Sequence, residues 1–405
     1  MHINYVMWGL ERTGGSVTFM EIGKRLVKKG HRVTLTAFDD GYGTMTVKGF
    51  KPKWDADNPI EFIPVSLGNH YRRMLDYAVS RIVNPRAVAF EWEKLYGIIP
   101  HIPDCDINVA TVFVSTFPVY LSKKGKAQFY HMQHYEPLFH TAELAVQPSF
   151  PLTPGGIAQR LLERIAPTSI SESSLSKLAE ISYGLPLNKI ANSKWLQKTV
   201  KEKHGVESTL INHAIRNEVF HPIPGIERPA KKRILCLGRT TKLWKGVGTL
   251  VDALKIVAKE RNDIELVLYG SDTNPNADSP HKYVLNPSFE ELNKLYCSST
   301  MVVCPSWYES FPAPPLEGMA CGIPVITTSI GVEDYARDGE NCLVVPPRNP
   351  EAMANAILRL LSDEELCKKL GENGPKTASQ FTWDKTTDKV EQLFKDVLSR
   401  NERRQ

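Results

Sequence analysis

The sequence predicts an α/β protein built from two doubly wound parallel sheets. Three observations lead there. Short apolar runs alternate with amphipathic ones through the first half, the arrangement of strand and crossover helix. Residues 213–230, HAIRNEVFHPIPGIERPA, then break the alternation with three prolines and a glycine. After them the alternation restarts. A chain of 405 residues is long for one core and suits two domains.

The elements follow in order. Residues 3–8 form the first strand candidate, interrupted by Gly14-Gly15. A helix comes next, with Phe19, Ile22 and Leu26 on one face. Strands are expected at 32–38, 60–65, 107–114, 128–134, 189–191 and 209–212, with helices at 72–94 and 172–183. Past the linker, strands are expected at 233–237, 264–269, 301–304, 323–328 and 343–345. Helices are expected at 248–261 and 289–297, and from Pro350 to the end. The boundaries are therefore a first domain over 1–212, a linker over 213–230, a second domain over 231–385 and a last helix over 386–405. Ligands of such sheets bind at the carboxyl ends of the strands, so two such domains would share a cleft there.

Composition narrows the class. The hydrophobic share of 42% and charged share of 23% are those of a globular protein, and no apolar run reaches membrane-spanning length. The start, MHINYVMWGL, reads as a strand and not as a signal peptide. The seven cysteines are odd in number, and no close pair has metal-ligand spacing, which fits a reducing compartment and no bound metal. A net charge of +5 is compatible with anionic substrates or an anionic membrane surface, and too small to argue for nucleic acid. The expected location is cytoplasmic, with peripheral contact at the inner membrane face through residues 72–86 as a secondary expectation.

The stretch with most chemistry is 305–325, PSWYESFPAPPLEGMACGIPV, where seven residues separate Glu309 from Glu317. A strand runs into it and a helix starts inside it. Carboxylates there can accept hydrogen bonds from sugar hydroxyls, and a helix start offers amides and a positive dipole to phosphate. Upstream, LGRTTKLWKG at 237–246 leaves another strand end and carries Arg239, Lys242 and Lys245. An arginine fork and a compact ammonium can neutralise a diphosphate without metal. In FYHMQHYEP, 129–137, His131 and His134 end an apolar strand, and where that strand ends decides whether one or both reach a ligand. Gly14 and Gly15 would let the backbone approach a ligand. Asp334, in SIGVEDYARDGENCLVV, follows a glycine after a strand, and Asp338-Gly339 reads as a turn.

In that order these motifs resemble the retaining glycosyltransferases of family four, also called group 1 glycosyl transferases, which have the GT-B fold. The resemblance is strong over 230–350 and weaker over 1–30. It extends to ANSKWLQKTV at 191–200, INHAIRNEVFHP at 211–222 and FTWDKT at 381–386, the last similar to the motif before a final helix that crosses back onto the first domain. It implies a metal-independent hexosyltransferase without cofactor. The donor would be a UDP-, dTDP- or GDP-sugar and the acceptor a sugar, lipid-linked glycan or small molecule, with retention of configuration. By resemblance, Arg239 and Lys245 hold the diphosphate and Glu317 the ribose. Glu309 contacts the transferred sugar, the amides of Ser310, Phe311, Pro312 and Ala313 reach sugar or phosphate, and Gly14 and Gly15 approach the phosphates. A histidine at or near His131 sits beside the sugar.

The chain departs from the family at Phe311-Pro312, where proline removes an amide, at Ile330-Gly331, at Asp334 and in LVLYGSD at 266–272, which has one of two usual glycines. QHYEP is similar to a pattern in relatives that build rhamnose-containing polymers, which points to bacterial surface polysaccharide or rhamnan synthesis. Two other readings compete. One is a nucleotide-sugar epimerase, which would need no acceptor. The other is a noncatalytic sugar-nucleotide-binding protein, for which Pro312 is the main support.

Overall fold

The computed structural model describes residues 1–8, 14–38, 57–65, 96–140, 172–240, 242–271 and 279–403. The expected helix at 72–94, with the surface residues 72–86, and most of 40–60 and 136–170 lie outside the described residues. The chain divides into two compact units. Unit 1 comprises Met1–Ala191, Gln197–Ile211 and Thr387–Gln405, and unit 2 comprises Asn192–Leu196 and Asn212–Thr386. Residues 213–230 thus fall within unit 2.

Unit 1 holds a sheet of seven strands: β1 (His2–Met7), β2 (Arg32–Phe38), β3 (Glu61–Val65), β4 (Ile107–Ala110), β5 (Ala127–Met132), β6 (Asn188–Ala191) and β7 (Thr209–Leu210). Their order is β3-β2-β1-β4-β5-β6-β7, and every pair is parallel. Helix α1 (Gly14–Lys28) packs on the sheet beside β2, with Phe19 5.4 Å from the ring of Tyr5 in β1, and Phe19, Ile22 and Leu26 are all buried as their spacing predicts. The last helix of the chain, α10 (Trp383–Glu402), places Val390, Phe394 and Val397 in a core, with Phe394 4.7 Å from the ring of Phe129. On its next face, Glu391 accepts from Lys29 at 2.8 Å and His31 at 3.1 Å and also pairs with Lys395.

One element differs from expectation. The run 107–114 is not one strand. The strand stops at Ala110, and α2 (Phe113–Ser122) begins three residues later. The Ser115 hydroxyl accepts from the amides of Thr111 at 2.9 Å and Val112 at 3.1 Å, and Glu136 takes the Phe113 amide at 2.7 Å. These acceptors satisfy the helix start, so β-branched residues suited to a strand become helical. Helices α3 (Glu172–Gly184) and α4 (Lys194–His204) complete the described part of this region.

Unit 2 holds six parallel strands: β8 (Lys232–Leu237), β9 (Ile264–Gly270), β10 (Lys282–Leu285), β11 (Met301–Cys304), β12 (Val325–Thr328) and β13 (Leu343–Val345). Their order is β10-β9-β8-β11-β12-β13. The edge strand β10 was not expected, because its Lys-Tyr-Val-Leu run is short and at most half-buried. Helices α5 (Val247–Val257) and α8 (Pro350–Ser362) share a core through Leu250, Val251, Leu254, Met353 and Ile357. The side chain of Asn349 caps α8 at the Ala352 amide, 2.8 Å away, and Pro350 occupies its first turn. Helices α6 (Phe289–Cys297) and α7 (Ala313–Ala320) pack in the second core of the unit, and α9 (Glu364–Ala378) precedes α10. Among the described residues no helix is long and apolar enough to cross a membrane.

The strand order marks one end of unit 2 as the place for a crevice. The connections after β8 run outward one way, through β9 and β10, and those after β11 run the other way. Neighbours β8 and β11 therefore flank the topological switch point, whose carboxyl ends form a ready crevice. The basic motif leaves β8, and the two-glutamate motif leaves β11.

Candidate functional site

After β8 the chain passes Gly238 and Arg239 into a single 3-10 turn, Leu243–Lys245. Gly246 follows with φ +68°, and a Cβ there would lie 1.9 Å from the Pro305 carbonyl oxygen. The glycine is required because the two strand-end loops touch at this point. The Trp307 amide donates to the Trp244 carbonyl at 2.7 Å, closing the same contact. Lys245 is thereby held over the second loop. Its Nζ donates to Glu309 Oε1 at 2.6 Å, and the Ser306 hydroxyl donates to the same oxygen at 2.8 Å. Glu309 is buried and Lys245 half-buried, so water screens this pair less than a surface pair. Arg239 is half-buried, and its Cδ lies beside Gly270 at the end of β9. In the same two loops Trp244 lies parallel to Tyr308 at 6.5 Å, and Arg348 sits 4.0 Å over Trp307.

Glu317 stands in the second turn of α7. Its Oε2 accepts from the Tyr296 hydroxyl at 2.8 Å, and that hydroxyl is 2.7 Å from the hydroxyl of Tyr269. Both phenols are buried, and burial pushes both well above the usual tyrosine range, so they remain protonated. The sequence reading missed these two tyrosines. Their signal was present: Tyr269 ends an apolar strand just before Gly270, where a side chain reaches the carboxyl edge of the sheet.

Ser310 donates to Asn192 Oδ1 in a short hydrogen bond, with the Ser193 hydroxyl 3.3 Å away. The neighbouring Lys194 amide donates to Asp334 Oδ2 at 3.0 Å, so Asp334 braces a backbone turn. Phe311 is buried against Tyr335, Phe381 and His213 at ring distances of 5.3, 5.6 and 6.0 Å. The Tyr335 hydroxyl donates to the Pro312 carbonyl at 2.8 Å. Phe311 and Pro312 thus set the loop by packing.

The helix start differs from the expectation of a site rich in amides. Pro312 is the N-cap of α7, Ala313 its first residue, and Pro314 and Pro315 follow. A helix leaves its first amides unpaired, but three of these four residues carry no N–H. Ala313 alone donates there. Phosphate at this position would depend on side-chain cations.

The remaining expected residues lie in unit 1. Gly14 and Gly15 are the first residues of α1. Gly14 is exposed, and a Cβ there would meet nothing within 4 Å. His131 lies inside β5, buried edge-on against Phe19 at 5.3 Å. Burial lowers its pKa to about 3, so the ring is neutral at physiological pH. β5 ends at Met132, and His134 lies beyond it, buried with its ring 4.3 Å from that of Phe139. Among the described residues no group of three or more His, Cys, Asp or Glu is placed to hold a metal ion.

Comparison with known proteins bears on the fold and the family. Residues 231–363 match the family model described as Glycosyl transferases group 1. The O-antigen biosynthesis protein RfbC of Myxococcus xanthus is 27% identical over 71% of this chain. That match spans only 20% of RfbC. Sucrose-phosphate synthase of Thermosynechococcus elongatus superimposes with a TM-score of 0.69 at 18% identity, covering 98% of this chain and 99% of its own. Anabaena HepE, solved in complex with UDP and glucose, gives a TM-score of 0.68 at 15% identity, covering 97% of this chain and 99% of its own. The fold is GT-B, with two Rossmann-like parallel sheets of seven and six strands. Over residues 231–363 the chain is thus similar to the group 1 glycosyl transferases.

Proposed function

We propose that this chain moves a hexosyl unit from a nucleoside diphosphate sugar to a hydroxyl acceptor, with retention of configuration and without metal. The observation that carries the reading is the Lys245–Glu309 pair at the β8/β11 switch point, with Glu317 one helical stretch further on. Arg239 and Lys245 would neutralise the diphosphate, and Glu317, oriented by Tyr296, would accept hydrogen bonds from the ribose hydroxyls. Lys245 exchanges part of its contact with Glu309 for a phosphate oxygen, which turns Glu309 toward the sugar.

The chemistry needs no covalent nucleophile. Departure of the diphosphate leaves an oxocarbenium-like sugar, and the cations stabilise the growing negative charge. The acceptor hydroxyl attacks from the leaving-group face and gives its proton to the departing phosphate. Neutral His131 would act as a hydrogen-bonding group and not as an acid. Gly14 and Gly15 would pass close to the phosphates. The UDP complex of HepE makes UDP the first nucleotide to test. The likeness to RfbC, an O-antigen biosynthesis protein, favours a polysaccharide acceptor.

One observation favours a second reading. The loss of three amides at the start of α7 suits a protein that binds a sugar nucleotide without turning it over. Calorimetric titration with UDP, dTDP, GDP and ADP, with chelator present, tests the site. Turnover of the matching sugar nucleotide then separates enzyme from binding protein. Binding of none of the four would overturn the donor assignment.

A further inference from the structure

Seven free cysteines are distributed through the chain, and two of them meet. Cys297 ends α6, and Cys321 caps α7, its amide bonded to the Glu317 carbonyl at 3.1 Å. Their sulfurs bond the same Asn293 Oδ1, at 3.6 Å from Cys297 and 3.1 Å from Cys321. Cys297 Sγ also donates to the His221 carbonyl at 3.3 Å. Tyr296, next to Cys297, donates to Glu317, one turn before Cys321. The two thiols therefore close the far end of the same helix pair that presents Glu317.

The two thiols differ in acidity. The neighbouring Cys321 lowers the Cys297 thiol against the opposing effect of burial, helped by the Ile223 backbone and the charges of His221 and Arg228. Cys321 is pushed up, first by Cys297 and then by burial. Of the two buried sulfurs, Cys297 therefore ionises more readily than Cys321. The more exposed Cys105 and Cys367 are both raised by burial, Cys105 to about 12.

We propose that Cys297 and Cys321 form a reversible thiol–disulfide site that adjusts the α6–α7 contact behind Glu317. The oxidant is a low-molecular-weight disulfide. The Cys297 thiolate, its proton already given to solvent, attacks one sulfur of that disulfide. The S–S bond breaks, and one thiolate leaves and takes up a proton. Cys321 then attacks Cys297 Sγ in the mixed disulfide and expels the second thiol, which carries away the Cys321 proton. Two protein thiols are oxidised, and one small disulfide is reduced to two thiols. The new bond draws the two helix ends together and shifts Tyr296 against Glu317.

The test is oxidation of the folded full chain with oxidised glutathione, followed by alkylation, peptide mapping and titration with UDP. An intrachain Cys297–Cys321 disulfide, reversed by reductant, is expected. Cys321→Ser and Cys321→Ala should instead stop at a glutathione adduct on Cys297. Modification of Cys105 or Cys367 with the pair left as thiols overturns the proposal, because exposure alone would then decide reactivity. The UDP arm rests on the donor assignment. Several-fold weaker binding by the oxidised protein, restored by reductant, is expected, and equal binding in both states overturns the coupling to Glu317. Absence of UDP binding in either state counts against the donor reading, and the peptide map still decides the disulfide.

Discussion

Gly331 faces the backbone of Glu309 so closely that a Cβ would stand 2.1 Å from the Glu309 carbonyl oxygen. Its φ of +83° is also one that side chains rarely adopt. The acid-loop glycine is therefore the back wall of the Glu309 loop. Gly331→Ala should lower unfolding free energy by at least about 2 kcal/mol and depress turnover through Glu309. Gly14→Ala is the control, since nothing lies within 4 Å of the added methyl. Denaturant titration should find it within about 0.5 kcal/mol of the parent. A loss of donor affinity there without loss of stability would mark close approach of the ligand to α1.

Lys245→Ala removes the cation opposite Glu309 and one positive charge from the diphosphate side. Turnover should fall by about 10²–10³, the scale of losing one preorganised charge partner in a transition state. Glu309→Gln should also be impaired. Because the two groups share a hydrogen bond of 2.6 Å, the double variant should lose less than the sum of the single losses. Strict additivity in kcat/KM would show that the pair does not act as a unit.

Tyr296→Phe deletes one hydroxyl and leaves the ring in place. The lost hydrogen bond to a carboxylate is worth about 1.5–3 kcal/mol, so UDP affinity should weaken by at least about tenfold. The effect should fall on KM more than on kcat, because ribose is remote from the reacting bond. Calorimetry with the variant and a steady-state kcat/KM split check this together.

Glu136 should contribute to the pH response of unit 1. Burial raises its carboxyl from 4.5 to about 7, against the hydrogen bonds from Tyr130 and the Phe113 amide. Tyr130 lies 2.6 Å from it, and the Tyr183 hydroxyl accepts from its amide. The folded-state pKa lies above the unfolded value, so the folded state holds this proton more tightly. The resulting stability is complete below about pH 4.5 and is lost as pH rises through 7. Thermal unfolding should show a decline across that window, with a contribution on the order of 3 kcal/mol. Glu136→Gln should flatten it. An unchanged pH profile in that variant would assign the decline elsewhere.

Much of the architecture was readable because parallel strands and amphipathic helices have local signatures. Phe19, Ile22 and Leu26 repeat at helical spacing, and all three are buried. The motif at 237–246 and the pair Glu309 and Glu317 were likewise visible as residue types at strand ends. The run 107–114 misled because its β-branched residues favour a strand, whereas the Ser115 hydroxyl and a distant carboxylate, Glu136, cap a helix there. The prolines of α7 were visible too. Only the N-cap at Pro312 showed that they fall on the amide positions a ligand would use.

By itself, then, the sequence determined the alternation of strand and helix, the break into two sheets and the charged residue types that leave their strands. The tertiary structure alone decided which atoms meet. Lys245 reaches Glu309 across 64 residues because β8 lies next to β11, and Tyr296 reaches Glu317 across 21 because α6 packs beside α7. Strand order and helix packing follow from burial of whole faces, to which many distant residues contribute. Local periodicity carries the shape of each element, and not the identity of its neighbour.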